Sequence, residues 1–173
     1  MKKYILPLLF NLLSITYGWS QQVSFGSLSA LHNAGKICLE MDFSQASIHG
    51  MDEEAFRNYE QDWEKDKPVV IGKFISGVVS HCGNDLSIGN YKEKEYTIRI
   101  LVRNIGVKGD YNCDADIMDT SGTTIAKITK IKGKGGKIGS VLNLIKDGAK
   151  HTGASLGTFL KKEVNKSSKK NIK

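Results

Sequence analysis

Three closely spaced runs between Tyr96 and Ile131 constrain the fold most. Tyr96, Ile98, Ile100 and Val102 alternate with Thr97, Arg99 and Arg103. A period of two buries one set and leaves the other in solvent, as in a half-buried strand ending at Gly106. Tyr111 to Met118 is a second such run. Asp119-Thr120-Ser121-Gly122 then reads as a tight reversal that returns a third run from Thr123 antiparallel beside it. In that last run, "TTIAKITKIKG", Ile125, Ile128 and Ile131 recur every third residue, a spacing that suits a helix as well as a strand.

Upstream, Ile37, Leu39, Met41 and Phe43 alternate in a strand from Lys36 to about Ser47, with Cys38, Glu40 and Asp42 on the opposite face. Asp52 caps a helix whose first turn holds Glu53 and Glu54, and Phe56, Tyr59 and Trp63 share the face that would pack on the core. Asp66 is a second cap, with Pro68 in the first turn of a helix running to about His81 and stopped by Gly83. Residues 84–94 are polar and turn-like, and Gln21 to Gly35 is either a short edge strand or a flexible lead-in. After the glycine- and lysine-rich hinge "IKGKGGKIGS" (131–140), Ser140 can cap a last helix through Leu142, Ile145, Ala149, Leu156 and Leu160. The small residues Ala149, Gly153 and Gly157 form a ridge on it that suits close docking on the sheet, helix–helix self-association or insertion at a membrane surface. The expected fold is a single α+β domain over residues 36–164. It has two layers, the order β-α(α)-β-β-β-α, a mainly antiparallel sheet and helices on one face, followed by a disordered basic tail at 165–173.

The first twenty residues read as an export signal. Lys2 and Lys3 are followed by a mostly apolar run from Tyr4 to Tyr17, and Gly18-Trp19-Ser20 gives a small-x-small cleavage pattern before Gln21. The mature chain is therefore expected outside the cytoplasm, periplasmic or secreted, with no further segment able to span a bilayer and no cysteine at the cleavage point to carry a lipid. Three cysteines in an exported chain is an odd number, so at least one makes no intramolecular bridge. Cys113 shares an inward face with Ala115 and Ile117. If any disulfide forms, Cys82 to Cys113 is the expected pair.

Charge is unevenly distributed. Gln21 to Lys130 holds 12 basic and 16 acidic residues, whereas Ile131 to Lys173 holds 11 basic and 2 acidic, so a net of −4 precedes a net of +9. Lys132, Lys134, Lys137, Lys146, Lys150, Lys161 and Lys162 are thereby candidates for contact with lipid head groups, polysaccharide or nucleic acid. A solvated helix face is the ordinary alternative.

Motifs with defined chemistry break on counting. From Gly133 and Gly135 the sixth position of a dinucleotide fingerprint is Ile138, and no Gly-Lys-Ser/Thr closes a phosphate loop. Asp114, Asp116 and Asp119 begin a calcium-loop pattern, but Met118, Asp119 and Ile125 stand where its ligands and glycine belong, so strand carboxylates and a turn aspartate are the favoured reading. His32, His49, His81 and His151 have no ligand spacing. No catalytic residue, metal or cofactor is expected, although a small hydrolase whose site assembles only in space stays open.

Gly133-Lys134-Gly135-Gly136 resembles the G-x-x-G loop of K-homology domains, which implies a grip on a nucleic-acid backbone. The segment before it reads better as a strand, and export disfavours a nucleic-acid ligand. The element order is similar to the periplasmic domain of the curli-secretion lipoprotein and the amino-terminal domain of the Tol-system propeller protein. The segment "GGKIGSVLNLIKDGAKHTGASLGTFLKK" resembles the ending of uncharacterised exported proteins of Gram-negative envelopes. These resemblances imply a non-enzymatic envelope protein that binds a protein partner or an anionic surface through its basic C-terminal helix.

Overall fold

The structure is a computed structural model that describes residues 20–84 and 86–170. Apart from Ser20, the expected export signal lies outside the described residues, as do the last three residues of the chain. Seven strands form one sheet: β1 (Gln22–Gly26), β2 (Ile37–Asp42), β3 (Ser47–Ile48), β4 (Ile88–Gly89), β5 (Tyr96–Ile105), β6 (Tyr111–Met118) and β7 (Thr124–Gly133). Their order is β1-β7-β6-β5-β2-β4, and β3 continues along β5 past the end of β2. The β5–β6–β7 meander is antiparallel, as its tight reversal requires, and β1 extends it antiparallel on β7. The strands β2, β3 and β4 join by parallel pairing. A parallel partner needs a long crossover. Here the crossover is helical, through α1 (Glu53–Tyr59) and α2 (Trp63–Cys82), and α3 (Val141–Lys170) follows the last strand.

One face of the sheet carries the core. Ile98, Ile100 and Val102 of β5, Ala115 and Ile117 of β6, and Ile128 and Ile131 of β7 are buried together with Phe74 and Val78 of α2 and Ile145 and Leu156 of α3. The opposite face carries a row of alternating charge. Glu40 lies opposite Arg99, Arg99 opposite Asp116, and Asp116 opposite Lys127, the last pair bridging at 3.1 Å. Opposite charges on cross-strand neighbours stabilise a solvent-facing sheet surface. The domain is thus α+β in two layers.

Local structure departs from the sequence reading in instructive places. Asp52 caps α1 by accepting from the Ala55 amide, but Tyr59 is 63% exposed, because the helix ends there and only Phe56 and Trp63 reach the core. The next helix starts at Trp63, with Asp62 rather than Asp66 at its cap position, so Pro68 lies inside it. Residues 21–35 are ordered as the edge strand β1 and a 3-10 helix, Leu28–Asn33. The last helix runs past Val164 to Lys170. No glycine or proline interrupts it after Gly157, and a Glu163–Lys166 pair at 2.6 Å supports that stretch.

The expected Cys82–Cys113 bridge is absent, and all three cysteines are thiols. Cys82 ends α2 with its Sγ directed at the Val79, Gly83 and Leu86 carbonyls. Cys113 lies mid-strand between Val102 and Ile131, where burial pushes its thiol far above the ordinary range. Cys38 faces away from the core as its phase implies, yet it too is buried, beside buried Thr97.

Candidate basic surface

The small-residue ridge of α3 docks on α2, not on the sheet. An ideal Cβ on Gly153 would lie 2.1 Å from the Phe74 carbonyl oxygen, one on Gly157 2.4 Å from that of Val78, and one on Gly77 of α2 2.3 Å from that of Lys150. Backbones this close leave no room for a side chain. The two helices run in the same direction, with Asp66 of α2 bridged to Lys146 of α3 at 2.6 Å near their starts and Gly83 against the Lys161 stem near the end of α2.

This arrangement sorts the candidate lysines. Lys146 is largely buried and held by Asp66. Lys161 lays its aliphatic carbons over Gly83. Lys150 is exposed on α3, and Lys134 and Lys137 are exposed in the hinge. Lys132 and Lys162 come together with two lysines outside the expected set, Lys130 and Lys166, around an open groove between the last residues of β7 and the C-terminal half of α3. The groove also holds Glu163, which pairs with Lys166. Four lysines against one glutamate leave a net charge of +3 among these groups. Gln21 closes one side, donating from Nε2 to the Ser155 hydroxyl, while its Oε1 is shielded from solvent without a hydrogen-bond partner.

A bulge in β7 creates half of this groove. Cys113 pairs with Ile131 and Ala115 with Ile128, so β7 spends one residue more than β6 over the same span. Lys130 takes φ = 63°, in the left-handed region, and donates its amide to Asp114 Oδ1 at 3.3 Å. The extra residue resets the inside–outside phase. Ile128 and Ile131 are therefore both buried in a strand, which resolves their helix-like spacing, and Lys130 and Lys132 both face solvent. Lys130 escaped the sequence reading because its phase depends on that bulge. The three-residue isoleucine spacing inside an otherwise strand-like run was the signal available.

The hinge is tied down. Gly135 donates its amide to Asp110 Oδ1 at 3.0 Å, Gly136 donates to the Leu144 carbonyl at 3.3 Å, and the Lys134 carbonyl meets His151 Nδ1 at 2.8 Å. An added Cβ on Gly133 would strike Thr152 and one on Gly135 the Lys108 carbonyl, so these glycines serve packing. The amides of Gly135 and Gly136 are committed, and a strand precedes Gly133 where a K-homology loop follows a helix. Both observations remove the nucleic-acid clamp reading. The aspartates of the broken calcium pattern are engaged separately, Asp114 by Arg103, Asp116 by Lys127, and Asp119 by the Ser121 and Thr123 amides of its own turn.

One serine lies beside a histidine. Ser80 Oγ is 2.9 Å from His81 Nδ1, on the exposed end of α2. The same Nδ1 is 3.0 Å from the Gly77 carbonyl. A nitrogen that donates to a carbonyl carries a proton and cannot accept one from serine. The Ser80 hydroxyl itself reaches the Ser76 and Gly77 carbonyls. The pair is local helix chemistry.

No protein-family model matches the chain, and no curated protein matches it either. Similar solved structures include PelC from Paraburkholderia phytofirmans, a dodecamer, at TM-score 0.42 and 12% identity over 80% of this chain and 96% of that one. A single-residue variant of the same protein has TM-score 0.43 and 14% identity over 82% and 98%. XCC0632 from Xanthomonas campestris, of the DUF330 family, has TM-score 0.44 and 8% identity over 87% and 98%. These are distant likenesses, and the fold described above stands on its own strand pairing.

Proposed function

We propose that this chain is an exported, non-enzymatic envelope domain that binds an anionic partner or surface through its basic C-terminal quarter. The binding face is the groove between β7 and α3 rather than the helix alone. The observation that carries this reading is the convergence of Lys130, Lys132, Lys162 and Lys166 from two elements far apart in sequence. Several lysines outside the groove meet an acid one to one, whereas four lysines and one glutamate line the groove. Lys146 meets Asp66, Lys127 meets Asp116, Lys94 meets Glu40, and Lys67 meets Glu53. A cluster of like charge on an open, concave surface raises the local concentration of anions.

Retention of the purified protein on an immobilised sulfated polysaccharide, eluted with salt, tests the reading. The wild type should elute at clearly higher salt than a variant carrying Lys130→Glu, Lys162→Glu and Lys166→Glu. Reversal of Lys146 is not a fair probe, because that residue supports the fold. Equal elution of the groove variant and the wild type, with unchanged circular dichroism, would remove the groove from the account.

A further inference from the structure

The two most exposed aliphatic side chains of the described residues, Ile138 at 91% and Val107 at 69%, stand at one end of the sheet. Val107 lies in the turn between β5 and β6, and Ile138 lies in the hinge after β7. Both loops leave the same end, because β5 and β7 each run antiparallel to β6. They are also joined. The Gly135 amide donates to Asp110 of the turn, and the backbones of Gly135 and Lys108 are in contact. Each aliphatic residue has an exposed lysine next to it in sequence, Lys108 after Val107 and Lys137 before Ile138, and Lys134 adds a third. Two acids accompany them, Asp110, occupied by the Gly135 amide, and Asp147, beside Gly136.

We infer that this end of the domain is a bilayer-docking tip, in which Ile138 and Val107 enter the head-group region of an anionic phospholipid membrane while Lys108, Lys134 and Lys137 stay at the phosphates. This inference rests on the proposed anionic partner and names it. The composition separates lipid from protein as the occupant. Protein interfaces concentrate aromatic residues and arginine at their centres and are depleted in lysine. Unbranched lysine stems beside bare aliphatics match a membrane interface, where the stem lies along acyl chains and the ammonium reaches the phosphate. A glycan or nucleic acid offers nothing to an isoleucine that is 91% exposed. The tip is also preorganised, since the hinge amides and the Lys134 carbonyl are already bonded.

The test uses Ile138→Trp in the full chain with phosphatidylcholine vesicles, with or without phosphatidylglycerol. Trp63 is fully buried and supplies a constant background, and the chain's other tryptophan, Trp19, is changed to Phe in both proteins compared. On anionic vesicles the variant should show a blue shift absent from the wild type, with quenching by lipids brominated near the head group. Ile138→Asp should weaken vesicle partitioning by about tenfold or more, and Lys137→Glu by about fivefold or more. Neither change should alter retention on the sulfated polysaccharide by more than its one (Ile138→Asp) or two (Lys137→Glu) units of surface charge would. Absence of the blue shift with polysaccharide retention intact overturns the tip alone. Loss of both vesicle binding and polysaccharide retention in the wild type overturns the anionic-partner reading beneath it.

Discussion

Gly153 of α3 faces the carbonyl oxygen of Phe74 in α2 so closely that a methyl group on it would sit 2.1 Å from that atom. The contact is backbone to backbone, and the nearby Gly157 and Gly77 repeat it. Gly153→Ala should force the helices apart and cost about 3 kcal/mol of unfolding free energy, read from urea denaturation. Gly72 of α2 has nothing within 4 Å of its ideal Cβ. Gly72→Ala should therefore stabilise by up to about 1 kcal/mol, since only helix propensity changes. Opposite signs at two helical glycines would establish that the α2–α3 contact is as close as described.

The basic quarter does not act as one block. Lys146 and Asp66 pair at 2.6 Å with side-chain exposures of 21% and 16%. Removing one partner leaves a poorly solvated charge, so Lys146→Ala should cost about 1–2 kcal/mol. Lys150 is exposed on the same helix, and Lys150→Ala should fall within about 0.5 kcal/mol of wild type. Thermal melts of the two variants distinguish the roles.

His49 gives the stability a defined pH dependence. Its backbone takes φ = 55°, its ring meets Phe56 edge-on at 5.5 Å, and its Nε2 is shielded from solvent with no hydrogen-bond partner. Burial holds the imidazole below its ordinary pKa, partly offset by a backbone hydrogen bond at Gly106. A lowered folded-state value means that the unfolded chain takes up the proton first as pH falls. The contribution is fully present above about pH 6.5 and declines as pH drops from there toward the folded-state value. Urea midpoints should fall between pH 7.5 and pH 5. In His49→Asn, a residue that tolerates a positive φ, that decline should be smaller.

All three thiols should resist alkylation in the folded protein. Cys38, Cys82 and Cys113 are 3%, 1% and 0% exposed, and burial keeps Cys113 protonated. Intact mass should show no iodoacetamide adduct under native conditions and three after denaturation without reductant. Two masked thiols in the denatured protein would mean that a bridge exists.

Much of the fold was legible because period-two alternation in β5 and β6 and the Asp119–Gly122 reversal are local signals. Asp52 and Ser140 also cap where their chemistry says, Ser140 Oγ accepting from the Asn143 amide at 3.4 Å. What escaped depends on partners distant in sequence. The parallel β4 is two residues long, held by Ile37 and Cys38 of β2, and has no alternation to read. The ridge of α3 is visible as small residues, but only the crossing with α2 shows which backbone approaches. Of the groove lysines, Lys132 reads as part of the glycine hinge and Lys162 as part of the basic helix, with nothing local to bring them together. The β7 bulge at Lys130 and the packing of α3 alongside β7 make them a two-element surface.

The most direct test of the central claim is a titration of the isotope-labelled protein with inositol hexakisphosphate, a compact soluble polyanion, followed by amide chemical shifts at low and high salt. Binding in the groove should give salt-sensitive shifts centred on Lys130, Lys132, Lys162 and Lys166, with the Glu40–Arg99–Asp116–Lys127 row unmoved. Shifts centred on that row, or none at low salt, would contradict it.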